Sequence, residues 1–144
     1  MSTISEVLSR KGSKVLTSTS DASVLEAIKV MSEANIGALI IQDGEQPAGI
    51  FTERDYLRKI ALEGRSSSDT RVCEVMSSPL ITVDSVESIR VAMETMTERR
   101  CRHLVVMENE TMAGIVSLGD LVKHLLLVKE AEVEQLSQYI AGTY

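Results

Sequence analysis

The chain has 144 residues, a length that suits one domain or two small packed units, and its net charge is −6 at neutral pH. Apolar residues make up 44% and charged residues 25%, a composition typical of a folded globular protein rather than a disordered one. The acidic balance, with one Phe, three Tyr and no Trp, argues against a nucleic-acid partner.

The sequence carries no targeting signal that the composition can reveal. No apolar run approaches the ~20 residues of a membrane helix, and the N-terminus lacks the basic start and apolar core of a signal peptide. Glu6 interrupts the basic stretch that a transit peptide would need. Cys73 and Cys101 are too few for a disulfide framework and suit a reducing compartment. We therefore predict a cytoplasmic protein with no membrane partner.

An internal repeat organises the chain. A shift of 65 positions places residues 15–60 on residues 80–125 without a gap, and the apolar positions keep the same register. Identical pairs include Thr17 with Thr82, Ser23 with Ser88, Met31 with Met96 and Asp55 with Asp120. The chain is therefore interpreted as a duplicated unit.

In chain order, residues 1–14 are predicted to hold a short helix that ends at Gly12. The first copy, residues 15–63, reads as a β-α-β-β-α unit whose first helix is capped at Ser20 or Asp21. Its strands are predicted at residues 15–17, 38–41 and 50–52. Its helices are expected to bury Val24, Ala27, Ile28 and Met31, and then Tyr56, Leu57 and Ile60.

The second copy, residues 76–128, follows a polar linker at residues 64–75 and has the same pattern, with a cap at Asp84 or Ser85. Its strands are predicted at residues 80–83, 103–107 and 113–117. Its helices are expected to bury Val86, Ile89, Met93 and Met96, and then Leu121, Val122, Leu125 and Leu126. The predicted fold class is α/β (α+β). Since one such unit is too small to fold readily alone, the two copies are expected to pack against each other.

Residues 129–144 are predicted to form a C-terminal helix. Val133, Leu136 and Ile140 lie along one stripe of this helix among glutamates. An amphipathic helix of this kind packs on its own body or on a second copy, and the second alternative is slightly favoured here.

Each copy contains a hydroxyl three residues before a carboxylate, at a strand end that passes into a helix start. The two segments are residues 49–55 (GIFTERD) and 114–120 (GIVSLGD). An isolated match is more often a capping box, in which Thr52 or Ser117 caps the helix and Asp55 or Asp120 reaches back. The other interpretation is a ribose clamp, because a carboxylate accepts hydrogen bonds from both hydroxyls of a vicinal diol.

A basic cluster at residues 99–103 stands out in this acidic chain. Arg99 is explained by the dipole at a helix end. Arg102 directly precedes an apolar strand, and an arginine fork suits phosphate oxygens. Cys101 lies between cations that would lower its pKa, but a buried apolar position is the simpler account because its repeat partner is Ile36.

With these motifs the chain resembles a tandem pair of CBS (cystathionine-β-synthase) domains, also called a Bateman module, over about residues 12–128. The resemblance rests on four segments and extends to stand-alone bacterial members with a similar linker and C-terminal helix. The segments are residues 36–39 (IGAL), 49–55, 102–106 (RHLVV) and 114–120. It implies two repeats related by pseudo-twofold symmetry, with two clefts between them that bind AMP, ATP or other adenosine compounds.

The resemblance also implies roles for particular positions. Ribose would be bound by Asp55, Asp120, Thr52 and Ser117, and phosphate by Arg54, Arg102 and His103. Adenine would be bordered by Thr17, Gly37, Ala38, Leu39, Thr82, His103 and Leu104, partly through backbone atoms. Two departures, Gly119 at the position equivalent to Arg54 and Val105 in place of a common proline, predict two unequal sites.

The sequence therefore predicts a non-catalytic regulatory and signalling module, and no nucleophile–base pair or metal-ligand spacing supports an enzyme or a metal site. AMP is the first expected ligand, with ATP, ADP or NAD(H) as alternatives. The expected partners are a homodimer and an unidentified target protein. The alternative function is a dimerisation or protein-interaction module with vestigial ligand sites.

Overall fold

The computed structural model describes residues 2–12 and 14–140, apart from the side chain of Tyr139. Residues 1, 13 and 141–144, which belong to the predicted terminal segments and include Tyr144, lie outside the described residues. The fold of the described residues is mixed α and β, as predicted. The elements are α1 (Ile4–Lys11), β1 (Thr17–Thr19), α2 (Val24–Ala34), β2 (Ala38–Asp43), β3 (Gln46–Thr52), α3 (Glu53–Tyr56), a π-helical turn (Leu57–Ala61), a 3-10 turn (Val72–Glu74), β4 (Thr82–Asp84), α4 (Ile89–Arg99), β5 (His103–Glu108), β6 (Thr111–Ser117) and α5 (Leu118–Ile140).

The chain forms two compact units, each built on a three-stranded sheet. Residues 14–81 hold the order β1-β2-β3, and the described residues of 1–13 and 82–144 hold the order β4-β5-β6. In each sheet the first strand is parallel to the second, which is antiparallel to the third. A register shift follows Ile41 in one sheet and Val106 in the other, so even this irregularity repeats at the same 65-residue offset.

The long helix of each repeat begins later than predicted. Ser23 and Ser88 are the N-caps, and their hydroxyls accept hydrogen bonds from the amides of Glu26 (3.1 Å) and Val91 (3.2 Å). The predicted caps at Ser20, Asp21, Asp84 and Ser85 are wrong, because these residues lie at the strand end or in the turn before the helix. Val86 lies in the same turn and is 77% exposed, so its predicted place on the buried helix face is also wrong.

The cores follow the predicted helix faces only in part. Buried apolar side chains of the first unit are Val24, Ala27, Met31, Leu39, Ile41, Phe51, Ile60, Val72 and Val75. Those of the second unit include Ile4, Val7, Ile89, Ala92, Met96, Leu104, Val106, Val116 and Leu121. Besides Val86, four residues predicted to be buried are exposed, namely Leu57, Val122, Leu125 and Leu126. In the second helix of each repeat, the apolar residues span a wider arc than the helix face that packs on the sheet. The residues at the edge of that arc therefore remain exposed to water.

Each unit is completed by a segment that the sequence analysis assigned elsewhere. Helix α1 joins the second repeat, where the Ile4 amide donates to the Glu87 carbonyl (2.9 Å). The predicted linker joins the first repeat, where the Val72 amide donates to the Ala22 carbonyl (2.8 Å). The 65-residue shift also places Val7 on Val72, and both are buried. The duplication therefore includes these leading segments.

The predicted C-terminal helix is not a separate element. Helix α5 runs without interruption from Leu118 to Ile140, because no glycine or proline follows Gly119 in that range. Of its described side chains, Leu121 and His124 are buried, whereas those of residues 129–138 are exposed. The second half of α5 thus has no packing partner within its unit among the described residues.

Two equivalent glycines give a test of this packing. A methyl group on Gly49 would lie 2.8 Å from the Ser77 carbonyl oxygen, which is fixed by backbone pairing with Ile50, whereas one on Gly114 would meet only the Leu8 side chain at 2.9 Å. We expect Gly49→Ala to lower the free energy of unfolding by roughly 2–3 kcal/mol and Gly114→Ala by less than about 1 kcal/mol. Urea unfolding of both variants measures the two losses in the free energy of unfolding. Equal losses would contradict the tighter backbone packing described at Gly49.

Candidate functional site

Both hydroxyl–carboxylate segments form capping boxes at a helix start. The Thr52 hydroxyl accepts a hydrogen bond from the Asp55 amide (3.1 Å), and the Asp55 carboxylate accepts one from the Thr52 amide (3.1 Å). Ser117 and Asp120 make the same pair of bonds at 3.1 and 2.8 Å. The capping interpretation is therefore confirmed for both copies, and the same carboxylates stay candidates for a ligand.

Asp55 is enclosed by donors from its own unit. Its Oδ1 accepts a hydrogen bond from the Ser77 hydroxyl (2.8 Å) and lies 3.2 Å from the Lys59 ammonium, while its Oδ2 accepts from Thr52. The side chain is 8% exposed. Lys59 also donates to the Val75 carbonyl (2.9 Å), which fixes the cation in place. Both carboxylate oxygens of Asp55 are therefore already in use.

Asp120 is more open, and its counter-ion comes from another helix. The Lys11 ammonium, at the end of α1, donates to Asp120 Oδ2 (2.6 Å) and to the Ile115 carbonyl (2.8 Å). The Asp120 side chain is 24% exposed. Among the described residues, both hydrogen bonds to this carboxylate end on Oδ2, so Oδ1 is the oxygen left to accept a further donor.

The ionisation of Asp120 follows from these contacts. Burial is the largest influence and opposes ionisation, but the hydrogen bonds and charge of Lys11 together with the Ser117 amide outweigh it. The net result is that the pKa of Asp120 lies below its ordinary value of 3.8. The carboxylate at the start of α5 is therefore fully ionised at neutral pH.

Arg102 and His103, predicted to contact phosphate, lie just before and at the start of β5. In space they are next to the start of α5. With Ser117 and Gly119 they line an open groove of about 570 Å³. Lys123, one turn into α5, also lines this groove. Arg54 lies in the other unit, where it is exposed on the first turn of α3.

The predicted adenine-contacting residues differ in what they can offer. Thr17 and Thr82 are exposed at the first positions of β1 and β4. Leu39 and Leu104 are fully buried, so only their backbone can face a ligand. The Gly37 carbonyl accepts the Glu53 amide (3.1 Å), and Ala38 is 8% exposed. His103, half-buried at the start of β5, is the one of this set that also lines the groove with Ser117.

Sequence reasoning missed the residues that hold the two carboxylates. Lys59 follows Asp55 by four positions on the same helical stretch, a spacing that predicts a contact. Lys11 and Ser77 come from the leading segments, which the 65-residue shift brings to within one position of each other. Extending the repeat beyond residues 15–60 would have identified both.

Cys101 is half-buried beside the basic cluster. Burial is the main influence on its thiol and raises the pKa, against the opposing effects of the His103 amide and the Arg99 charge. The cations therefore do not produce a reactive thiolate here, in agreement with a packing role for this residue.

Comparison with known proteins now identifies the family. The CBS domain family matches residues 4–62 and 72–127, and the chain belongs to it as a tandem pair of CBS domains. The matched ranges include the leading segments that complete each unit. The fold class and the family resemblance predicted from the sequence are confirmed.

Three proteins illustrate the similarity. The chain is 42% identical to the Arabidopsis thaliana protein named "CBS domain-containing protein CBSX3, mitochondrial", over 99% of this chain and 73% of that one. It is 42% identical to a proposed signal-transduction protein with CBS domains from Burkholderia ambifaria, with a TM-score of 0.84, over 88% of this chain and 95% of that one. A hexameric CBS-CP12 protein from bloom-forming cyanobacteria is 27% identical with a TM-score of 0.76, over 85% and 70% of the two chains.

The described residues contain neither a helix suited to cross a membrane nor a group of metal-ligating side chains. None of the helices found there combines the length and low polarity required to cross a bilayer. Within the same residues, no three His, Cys, Asp or Glu side chains lie close enough together to hold a metal ion. The cytoplasmic location stays a prediction, and the plant relative's name places that protein in mitochondria.

The Lys11–Asp120 ion pair predicts a particular dependence of stability on pH. A carboxyl group whose pKa is lowered in the folded state adds stability above its unfolded pKa, and this contribution is lost as the pH falls through the folded pKa. Asp120→Asn should therefore be less stable than wild type at pH 7, by up to about 1 kcal/mol, and the difference should disappear as the pH falls below 3.8 and through the lowered folded pKa of Asp120. Urea unfolding at several pH values measures this.

The matched control is Lys11→Met, which introduces the residue found at the equivalent position of the other copy, Met76. It should remove most of the same pH-dependent difference, because the ion pair needs both partners. A stability difference between wild type and Asp120→Asn that is the same at pH 7 and pH 3 would show that Lys11 does not stabilise the charged form.

Proposed function

We propose that this CBS pair is a regulatory module that binds an adenine nucleotide through the carboxylate at the start of α5. CBS-domain proteins of this kind are typically non-catalytic regulatory modules, which gives the general class. The observation that carries the specific proposal is the state of Asp120, which is ionised, 24% exposed and able to accept a donor at Oδ1.

A ribose diol matches this carboxylate chemically. Its two hydroxyls can donate to two carboxylate oxygens, and charge-assisted hydrogen bonds of this kind are about twice as strong as neutral ones. One hydroxyl would bind Oδ1, and the other would compete with the Lys11 ammonium at Oδ2. Arg102 and His103, in the groove that also contains Ser117, supply donors for the phosphate that follows the sugar. AMP is the simplest nucleotide that meets these requirements, with ATP, ADP or NAD(H) as larger alternatives.

The two repeats would bind unequally. A diol at Asp55 would have to displace both the Ser77 hydroxyl and the Lys59 ammonium from a carboxylate that is 8% exposed. At Asp120 only Lys11 would have to move. We therefore infer that the second repeat binds first, and that the site at Asp55 is weaker or empty.

Binding at Asp120 also suggests how the signal would be produced. Lys11 is the last residue of α1, and its ammonium connects that helix to β6 and α5. A ribose that takes over Asp120 would release this connection and alter how α1 is held. A target protein that reads the position of α1 would then respond to the nucleotide.

Nucleotide binding can be tested by calorimetry and thermal unfolding of the full chain with AMP, ATP, ADP and NAD(H) at millimolar concentration. At 100 times its dissociation constant, a ligand stabilises the folded state by about 2.7 kcal/mol. Asp120→Ala should abolish the stabilisation, whereas Asp55→Asn, which keeps the shape of the side chain, should retain most of it. The proposal is overturned if no nucleotide binds wild type or any variant. If Asp55→Asn alone loses the stabilisation, the first repeat binds before the second.

Self-association through α5 is a second candidate function, favoured by the exposed apolar stripe on that helix. Val122, Leu126, Val133, Leu136 and Ile140 are between 40% and 77% exposed and follow one another at three- and four-residue intervals, with Lys129 between them. The spacing of these five residues and Lys129 is symmetric about Ala131. Two antiparallel copies would therefore bring Leu126 of each beside Leu136 of the other.

This candidate predicts a dimer that depends on the stripe. Val133→Lys with Leu136→Lys should convert the dimer to a monomer in light scattering, because two charges would enter an apolar interface. Gln135→Lys with Gln138→Lys adds the same charge on the opposite helix face and should leave the mass unchanged. A monomeric wild-type chain, or an unchanged mass after deletion of residues 129–144, would exclude α5 as the contact.

A further inference from the structure

A buried histidine of the second unit, His124, lacks a hydrogen-bond partner among the described residues. His124 is 4% exposed, and neither of its ring nitrogens has a hydrogen-bond partner among the described residues. The nearest carboxylate oxygen, on Glu6, lies 4.0 Å from Nε2, and the same oxygen accepts the Thr3 amide at 3.2 Å. A buried polar atom without a partner costs about 1–3 kcal/mol, so such groups are normally satisfied by water or a bound ion.

His124 lines a cavity of about 210 Å³ between α1 and α5. Roughly 10–15 Å³ suffices for one water, so the cavity has room for a tetrahedral oxyanion. Arg10 and Lys11 reach it from the last turn of α1, and Lys123 and Asp120 reach it from the start of α5. The sixth lining residue is Val7.

The charges around this cavity favour an anion. Three cations line it against one carboxylate, Asp120, which is paired with Lys11, and Glu6 lies at 4.0 Å from the histidine. Among the described residues, the side chains of Arg10 and Lys123 have no ion pair or hydrogen bond. Two uncommitted cations and an unsatisfied imidazole thus meet in one place, in a chain whose net charge is −6.

The helix dipole does not explain this arrangement. It favours cations at the C-terminal end of α1, where Arg10 and Lys11 lie. Lys123 is the sixth residue of α5 and lies beyond the first turn, so the dipole does not account for it. At the equivalent positions of the first copy, Arg10 and Lys11 are replaced by the apolar residues Val75 and Met76. Arg10 and Lys11 are therefore cations that the second unit alone has at these positions, whereas the equivalent of Lys123 is also a cation, Arg58.

We propose that the cavity between α1 and α5 binds a phosphate group, held by Arg10, Lys123 and the buried His124. A phosphate offers enough acceptor oxygens for a guanidinium fork, an ammonium and an imidazole N–H at once, whereas a carboxylate offers two oxygens. The group is inorganic phosphate or the phosphate of a monoester. Bound there, it links α1 to α5 and stabilises the second unit.

This site lies beside the groove at Arg102 and His103, with which it shares Lys123, and it does not require the proposed nucleotide function. It shares Asp120 with that function at its edge, so the phosphate of a nucleotide whose ribose binds Asp120 is one source of the group. Inorganic phosphate is the other source, and the two are separated by comparing probes.

The experiment titrates the full chain with inorganic phosphate against sodium chloride of matched ionic strength, following heat, the melting temperature and the imidazole NMR signals. Phosphate should raise the melting temperature and shift the His124 signals. Arg10→Val, which takes the residue of the other copy, and Lys123→Ala should each weaken binding at least tenfold. Lys29→Ala, which removes an exposed cation on α2 of the other unit, should leave binding unchanged.

A parallel titration with AMP and adenosine identifies the source of the group. If Arg10→Val and Lys123→Ala weaken AMP but not adenosine, the cavity takes the nucleotide's phosphate. If inorganic phosphate binds and no nucleotide does, this site stands while the proposed function fails. The site is overturned if phosphate acts no differently from chloride, or if Lys29→Ala weakens binding as much as Arg10→Val. If AMP binds equally well to wild type and to both variants while inorganic phosphate binding is weakened in them, the source of the group is inorganic phosphate.

Discussion

Both units depend on the interaction made by the carboxylate three residues into the second helix of each repeat. In one direction Asp55 or Asp120 closes a capping box and fixes where the helix begins. In the other direction it accepts a donor from the leading segment, Ser77 in the first unit and Lys11 in the second. One side chain therefore connects the strand end, the helix start and the segment that completes the unit. Its loss would affect all three.

The two copies differ in where the balancing cation originates. Lys59 is four residues from Asp55, so the first unit neutralises its carboxylate locally and encloses it. In the second unit the equivalent residue is the buried His124, and the cation is supplied by α1 instead. A ligand can thus compete for Asp120 without breaking an ion pair between two residues of the same helical stretch, as it would have to do at Asp55. This difference, Lys59 in one copy and His124 in the other, contributes to the unequal roles that we propose for the two repeats.

The sequence predicted the repeat, the order of elements and the two capping boxes, because these depend on local spacing. It misplaced the caps of the long helices, since Ser20, Asp21 and Ser23 are all capable residues and the choice is made by the Val24 amide bonding to the distant Thr70 carbonyl. It overestimated burial at Leu57 and Val122, because periodicity does not define the width of the contact. It missed Lys11, which lies 109 positions from Asp120, as no local rule reports a pairing of that range.

The account would be tested most directly by a crystal structure of the full chain grown with AMP. We expect ribose hydroxyls on both oxygens of Asp120 and the Lys11 ammonium moved away from Oδ2. A structure in which AMP is bound while the 2.6 Å contact between Lys11 and Asp120 persists and the carboxylate touches no sugar would contradict it.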